Sequence, residues 1–451
     1  MMMFRVFRVP VIVLAVLLIL FSAAFAESGN EFDYKLLDDG SIMITAYRGT
    51  GPDLVIPEMI DGYTVSGMSH IFGTRTASVK NIKSITVPYT MNEIEPGALR
   101  FAEYLTDIRI PEDHPALYFT DGVLYNRKDR SLLLYLQTNT AEHFDVPDGI
   151  CEIADKAFVR AGLVSISLSG SVEHIGNESF YQCTRLKEIT FSDGLKTIGT
   201  DAFTNCDMLH EIELPASVTD IAETAFTDAH LKEIRVAPGS TVFTVSDGAL
   251  INMRDSAVIA FPPFSEAESC VIPEGVKRIG RFAFYRCHHL KQVTFPESLQ
   301  EIGHGAFLMC NHLPGIDLPD GVVRLEELAF GINSDTEQLH IPAGLTEIVN
   351  NFDDLSITEL IIPETVTVID KSFTSLPKLT EVVIPSGVTK IGERSFVFCR
   401  NLASITIPAS VTDIRSTFIG CARTLVIKVE PGSYAEQYCK DHDLHYEYIS
   451  G

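Results

Sequence analysis

Apolar residues recur along this chain on two scales. Within short segments they alternate with polar ones, and the whole pattern returns about every 23 residues. An apolar residue followed by proline occurs at Ile272-Pro273, Phe295-Pro296, Leu318-Pro319, Ile341-Pro342, Ile362-Pro363, Ile384-Pro385 and Ile407-Pro408, with prolines 23, 23, 23, 21, 22 and 23 residues apart. A buried-type Phe keeps step at Phe158, Phe180, Phe203 and Phe226, then at Phe284, Phe307, Phe330, Phe352 (a degenerate copy), Phe373, Phe396 and Phe418. Two independent markers in phase identify a repeat array. Each copy reads L-x-x-I-x-I-P-x-x-V-x-x-I-x-x-x-A-F-x-x-C, as at 379–399. The alternating L-x-x-I-x-I predicts a short strand stopped by proline, V-x-x-I a second extended piece, and A-F-x-x-C a single helical or 3-10 turn. One such coil cannot bury its own apolar face. Stacked coils can, with strands about 4.8 Å apart.

The phrases SVEHIGNESFYQCTRLKEITF (171–191), GVKRIGRFAFYRCHHLKQVTFP (275–296) and GVTKIGERSFVFCRNLASITIP (387–408) resemble the BspA-like leucine-rich repeat proteins of bacterial and some protist surfaces. The opening 32–65 looks like that family's first hairpin and coil, and 431–449 is similar to its closing helix and strand. The expected fold is a repeat solenoid: a β-rich leucine-rich repeat superhelix of short parallel strands with short helical or 3-10 turns, capped at both ends. The expected organisation is a signal peptide at 1–26, an N-terminal hairpin cap and first coil at 27–65, repeats over 66–428 and a C-terminal cap at 429–451. Two long copies carry Asp121-Gly122 and Asp247-Gly248 at matching offsets. Asp-Gly is hairpin-turn chemistry, so inserted hairpins are expected near 112–146 and 238–272.

Arg5 and Arg8 precede an apolar run over 9–21 that ends in Ala24-Phe25-Ala26, the pattern of a cleaved secretory signal. The expected location is therefore secreted or at the cell surface. The formal charge of -25 is spread along the chain, which argues against nucleic acid or an anionic membrane surface as a partner.

The stretch AFYRCHHL (283–290) raises the question of a metal or catalytic site. Its sister AFLMCNHL (306–313) answers it: Cys287 and Cys310 fall in a column that elsewhere holds Ala161, Cys183, Cys206, Ala229, Asn333, Leu355, Leu376, Cys399 and Cys421. Such a column is a small buried slot filled by thiols. His288 falls on a variable position expected to face solvent, and His289 with His312 makes two ligands, short of any zinc site. No motif for hydrolysis, phosphate binding or metalloprotease chemistry occurs. The expectation is a protein without catalytic residues, cofactor or metal. The sequon Asn177-Glu178-Ser179 places Ser179 at an inward position, so it reads as coincidence.

Between the last two apolar residues of each main strand lie Ser167, Thr190, Glu213, Arg235, Thr294, Asp317, His340, Ile361, Val383 and Thr406, a column expected to face outward on a long sheet. Glu213, Arg235, Thr294, Asp317, His340, Ile361, Val383 and Thr406 form the candidate binding face. Glu188, Glu211, Glu233, Glu359 and Glu381 run beside it, with neighbouring lysines expected to offset them. The family resemblance implies binding of an extracellular protein or glycan, with adhesion as one use. The alternative is a structural or assembly component of the cell envelope without a dedicated external ligand.

Overall fold

The computed structural model describes residues 31–71 and 81–449. The signal-peptide reading of 1–26 lies outside the described residues. The chain divides into two compact units, 1–139 and 140–451.

In the first unit, Phe32–Leu36 and Ile42–Tyr47 form an antiparallel hairpin, and Ile42–Tyr47 then pairs in parallel with Tyr63–Met68. Asp53–Val55, Ser84–Thr86 and Asp107–Arg109 make a parallel ladder. Leu117–Thr120, Val123–Asn126 and Ser131–Tyr135 follow as an antiparallel meander.

The second unit is a β-solenoid in which each regular coil contributes two short strands to two ladders. The first ladder is built from the I-x-I segments. It is divided into blocks: His143–Asp145 with Ser165–Ser167 and Glu188–Thr190, Glu211–Leu214 with Glu233–Val236, Ser269–Val271 with Gln292–Thr294, Gly315–Asp317 with Gln338–His340, and Glu381–Val383 with Ser404–Ile407 and Val426–Val429. This differs from the long sheet expected. One interruption has a visible cause. Lys291 N–H donates to Glu268 O at 2.7 Å, but the next coil has Pro314 at that position and no N–H to give. The second ladder comes from V-x-x-I, for example Arg278–Ile279, Glu301–Ile302 and Arg324–Leu325. A second antiparallel meander, Phe243–Ser246, Ala249–Asn252 and Ala257–Ala260, joins this ladder through its last strand.

The Phe column is the spine of the core. Phe158, Phe180, Phe203 and Phe226 stack with ring centroids 5.0, 5.3 and 5.8 Å apart. Phe261, supplied by the second meander, begins another run through Phe284, Phe307, Phe330, Phe352, Phe373 and Phe396, with neighbouring centroids 4.7 to 6.0 Å apart. Near-parallel offset rings at this spacing add to the burial of each side chain.

The A-F-x-x-C segment is not the helical or 3-10 turn expected. The residues two before and two after Phe158 and Phe180 are left-handed: Lys156 φ 63°, Arg160 φ 58°, Glu178 φ 52° and Gln182 φ 59°. The left-handed steps alternate the N–H directions. Lys156, Phe158 and Arg160 donate to Asn177, Ser179 and Tyr181 of the next coil at 2.9, 2.7 and 2.9 Å, while Ala157, Val159 and Ala161 donate within their own turn. A 3-10 turn would direct every N–H along its own chain and leave the coils unlinked here. Close approach also explains the glycine before V-x-x-I at Gly194 and Gly387, where a Cβ would strike the carbonyl oxygens of Gly170 and Glu364 in the preceding coil.

Candidate functional site

The slot cysteines have a structural role in the turn. Sγ–H of Cys183, Cys206, Cys310, Cys399 and Cys421 donates to the carbonyl of Phe158, Phe180, Phe284, Phe373 and Phe396 in the preceding coil, at 2.9 to 3.3 Å. Cys287 reaches Phe261 O at 4.0 Å. These six are free thiols. Burial pushes the Cys183 thiol up to about 12, which suppresses the nucleophilic thiolate.

His288, expected to face solvent, is half-buried, and burial followed by the charge of Arg286 holds its pKa below the ordinary value. His289 is exposed, and His312 Nδ1 lies 2.9 Å from Asp335 Oδ2. Among the described residues, no group of three or more His, Cys, Asp or Glu is placed to hold a metal ion.

The outward column is the remaining candidate. A strand alternates its side chains, so inward apolar residues on either side direct the residue between them out. Glu213, Arg235, Thr294, Asp317, His340, Ile361 and Val383 are exposed, and Thr406 is half-buried. Glu213 sits opposite Arg235, Asp317 opposite His340 and Val383 opposite Thr406 in the parallel registers. Ile361 is outward but lies outside any strand. Thr294 and Asp317 belong to separate blocks, flanking the break at Pro314.

Register adds residues that the sequence did not show. Val271 is paired with Thr294, Lys428 with Thr406, and Glu447 with Lys428. Val271 follows an inserted hairpin that breaks the spacing, and Lys428 and Glu447 lie where the repeat gives way to the closing segments. A count of repeat positions therefore passes over them.

The electrostatics are local. Arg235 holds Glu211 at 2.8 Å and Glu233 at 2.7 Å, with Glu213 at 4.0 Å. One guanidinium offsets three carboxylates through its forked donors. Lys291 pairs with Glu268 at 2.5 Å and Lys428 with Glu381 at 3.1 Å. The Lys428 and Ser404 hydrogen bonds hold the Glu381 carboxyl below the usual range. Lys187 and Lys232, expected to offset the acidic row, make no ion pair among the described residues; Glu211 and Glu233 are offset by Arg235 and Glu381 by Lys428, both inside the column.

Two open depressions lie on this face. One of about 820 Å³ is lined by Lys187, Glu188, Met208, Glu213 and Arg235. Another of about 760 Å³ lies at the Pro314 break, with Thr294, Asp317 and His340 on its walls. At the start of the same ladder, Ser165 Oγ is 2.9 Å from His143 Nδ1, and His143 Nε2 is 2.9 Å from Asp145 Oδ1. The His143 and Asp145 side chains are 52% and 73% exposed, so water competes for every partner and the trio lacks the dry setting of an activated serine.

Comparison with known proteins agrees with this architecture. The pneumococcal vaccine antigen PcpA superposes with a TM-score of 0.52 at 20% identity, covering 94% of this chain and 98% of its own. A leucine-rich repeat protein from Eubacterium ventriosum superposes with a TM-score of 0.56 at 18% identity, covering 87% and 93%. At these identities the likeness is one of fold. No curated protein matches the chain. The BspA type leucine rich repeat region matches in six copies over 134–255, 259–373 and 367–434. With stacked coils, Phe spine and slot cysteines in register, the chain belongs to the BspA type leucine-rich repeat family.

Proposed function

We propose that this chain is a secreted or cell-surface binding protein whose outward first-ladder column recognises an extracellular protein or glycan without chemical conversion. The observation that carries the reading is the Arg235 cluster. Glu211, Glu213 and Glu233 are held around one guanidinium beside a depression of about 820 Å³, a preformed polar arrangement on the broad face that solenoids use for recognition. Thr294, Asp317 and His340 extend that face, and Ile361 and Val383, 68% and 58% exposed, supply an apolar end beside the half-buried Thr406. The family resemblance and the fold shared with a pneumococcal antigen support a surface location.

The test is capture of the intact chain on arrays of matrix proteins and glycans. A ligand of the column is lost with Glu213→Ala and Arg235→Ala, and retained with Arg286→Ala on the turn side. Equal capture by all three variants would sink the reading. Self-association without saturable capture would favour the envelope-assembly alternative. Sequencing the mature N-terminus tests removal of 1–26.

A further inference from the structure

The two meanders are one device built twice. Both turn on Asp-Gly with positive φ at each residue: Asp121 51° and Gly122 76°, Asp247 47° and Gly248 82°. Both carry a bulge in the second pairing, between Leu124 and Tyr125 and between Leu250 and Ile251. In both, an Asn side chain closes the next turn, Asn126 on Asp129 at 2.6 Å and Asn252 on Asp255 at 2.7 Å. Each also presents an outermost strand, Leu117–Thr120 in one and Phe243–Ser246 in the other, with a further pairing edge.

The edges are covered by different side chains. In the first meander Leu117 N–H is taken by His114 Nδ1 at 2.9 Å and Leu117 O by the Arg127 guanidinium at 3.1 Å. Tyr118 stacks on its cross-strand partner Tyr125 at 4.7 Å, and Arg127 lies over Tyr118 at 4.5 Å. The second meander caps its first edge N–H in the same way, Phe243 on Ser240 Oγ at 3.1 Å, so the difference lies in the rings and guanidinium that cover the first. In the second meander the corresponding positions are Thr244, Ile251 and Met253, and no ring or guanidinium fills the space. A recess of about 460 Å³ opens instead, lined by Thr244, Ser246, Ile251 and Met253 and closed on its far side by the turn at Pro273 and Gly275. Ser246 faces Ala249 across the two-residue turn as a hydrogen-bonded pair, so Thr244 bonds inward and Val245 directs its N–H and C=O outward. Among the described residues Val245 has no backbone partner on that side, as is true of Phe119 in the first meander, but only beside Val245 does a recess open. The strand FTVS also carries no charge or proline, the usual guards of an exposed edge.

We propose that the free edge of Phe243–Ser246 is a docking site for an extended peptide strand. The peptide pairs with the N–H and C=O of Val245 and sets an aromatic side chain into the recess beside Thr244, Ile251 and Met253. The sister meander shows which chemistry fits: its own tyrosine ring, in line with the strand, fills the matching position. Backbone pairing supplies affinity, and the recess selects the side chain. This site abuts the first-ladder column, since Asp247 Oδ2 accepts Val271 N–H at 2.6 Å, but it uses none of the column's outward side chains and stands whether or not that column binds a ligand.

The test uses the intact chain and dye-labelled Ac-Thr-Val-Tyr-Val-Thr-NH2, with anisotropy read to about 1 mM peptide. Saturable binding is expected. N-methylation of the central amides of the peptide, Val245→Pro, and the double change Thr244→Tyr with Met253→Arg each weaken it by about tenfold or more. Phe119→Pro in the first meander and Arg235→Ala in the column leave it within about twofold. The double variant keeps every edge N–H and tests the recess even if the proline variant fails to fold. Equal affinity for the methylated peptide, undiminished binding by the double variant, or no saturation by about 1 mM would overturn the proposal.

Discussion

The coils up to Phe330 and those from Phe352 onward bury the same repeat ring, and the hydrogen bonds that flank it run forward in both, but the row made by the Phe N–H itself has opposite polarity. Phe284 N–H donates forward to Ala306 O at 2.8 Å, and Phe307 N–H forward to Ala329 O at 2.8 Å. Phe373 N–H donates backward to Asn351 O at 3.2 Å, and Phe396 N–H backward to Ser372 O at 3.1 Å. The peptide before Phe has flipped, and Phe352, Phe373, Phe396 and Phe418 accordingly take left-handed φ of 64°, 62°, 57° and 64°. At the junction Asn351 serves both halves. Its side-chain Oδ1 accepts Phe330 N–H at 3.2 Å, its main-chain oxygen accepts Phe373 N–H, and its Nδ2 donates to Glu326 O and Val349 O at 2.9 and 2.8 Å. A packed solenoid can thus reverse one row of hydrogen bonds where a single amide side chain bridges the change.

The largest effect should come from the element that both halves share. Phe307 is fully buried, with rings 4.7 and 5.0 Å on either side. Phe307→Ala is expected to cost about 3–5 kcal/mol, read as loss of amide-exchange protection in its own and adjoining coils. Undiminished protection there would mean that the stack does not carry coil stability. Asn351→Ala should come next, at about 2–3 kcal/mol, because it leaves the buried Phe330 N–H without its acceptor and takes the side-chain donor from Val349 O and Glu326 O, the latter keeping only Ala329 N–H. Urea unfolding reads the difference. A loss no larger than for an exposed Asn→Ala change would show that the polarity junction does not depend on this side chain.

Legibility followed the same division. The period, the two strands per coil, the Phe spine and the buried cysteine slot could be read because burial restricts residue type at fixed intervals. The left-handed turn could not: Lys156, Arg160, Glu178 and Gln182 adopt it for coil-to-coil hydrogen bonds, and none is a glycine that would announce positive φ. Phe352 read as a degenerate copy, but nothing in N-N-F-D-D shows that Asn351 reverses polarity. The outward column was readable by alternation up to the point where the meander displaced Val271 and the closing segment displaced Lys428. The contrast between Arg127 and Met253 on the two meanders had meaning only once the edge strands were seen.

Asp353 gives the junction coil a pH dependence of its own. Burial raises its carboxyl to about 6, against the opposing effect of Thr374 N–H, which it accepts at 2.8 Å. The folded state therefore favours the protonated acid. Stability from this group is fully present below the unfolded value near 3.8, declines as pH rises and is gone above about 6. Asp353→Asn keeps an acceptor for Thr374 N–H and removes the charge. It is expected to stabilise by about 1–2 kcal/mol at pH 7 and to leave stability unchanged near pH 4. Equal stabilisation at both values would assign the effect to packing.

The smallest expected effect tests whether the slot cysteine is a preferred filling or an interchangeable one. Asn333 occupies the slot one coil after Cys310, fully buried, with neither its Oδ1 nor its Nδ2 bonded among the described residues. Cys310 in the same slot bonds Phe284 O at 2.9 Å. Asn333→Cys removes two unsatisfied polar atoms and introduces a donor for the carbonyl of Phe307, so a gain of about 1 kcal/mol is expected. Asn333→Ala removes the same unsatisfied atoms without adding the donor and leaves a small void, so it should gain less. If alanine equals or exceeds cysteine in urea unfolding, the Sγ–H to carbonyl bond contributes nothing measurable, and cysteine sits in this column for its size alone.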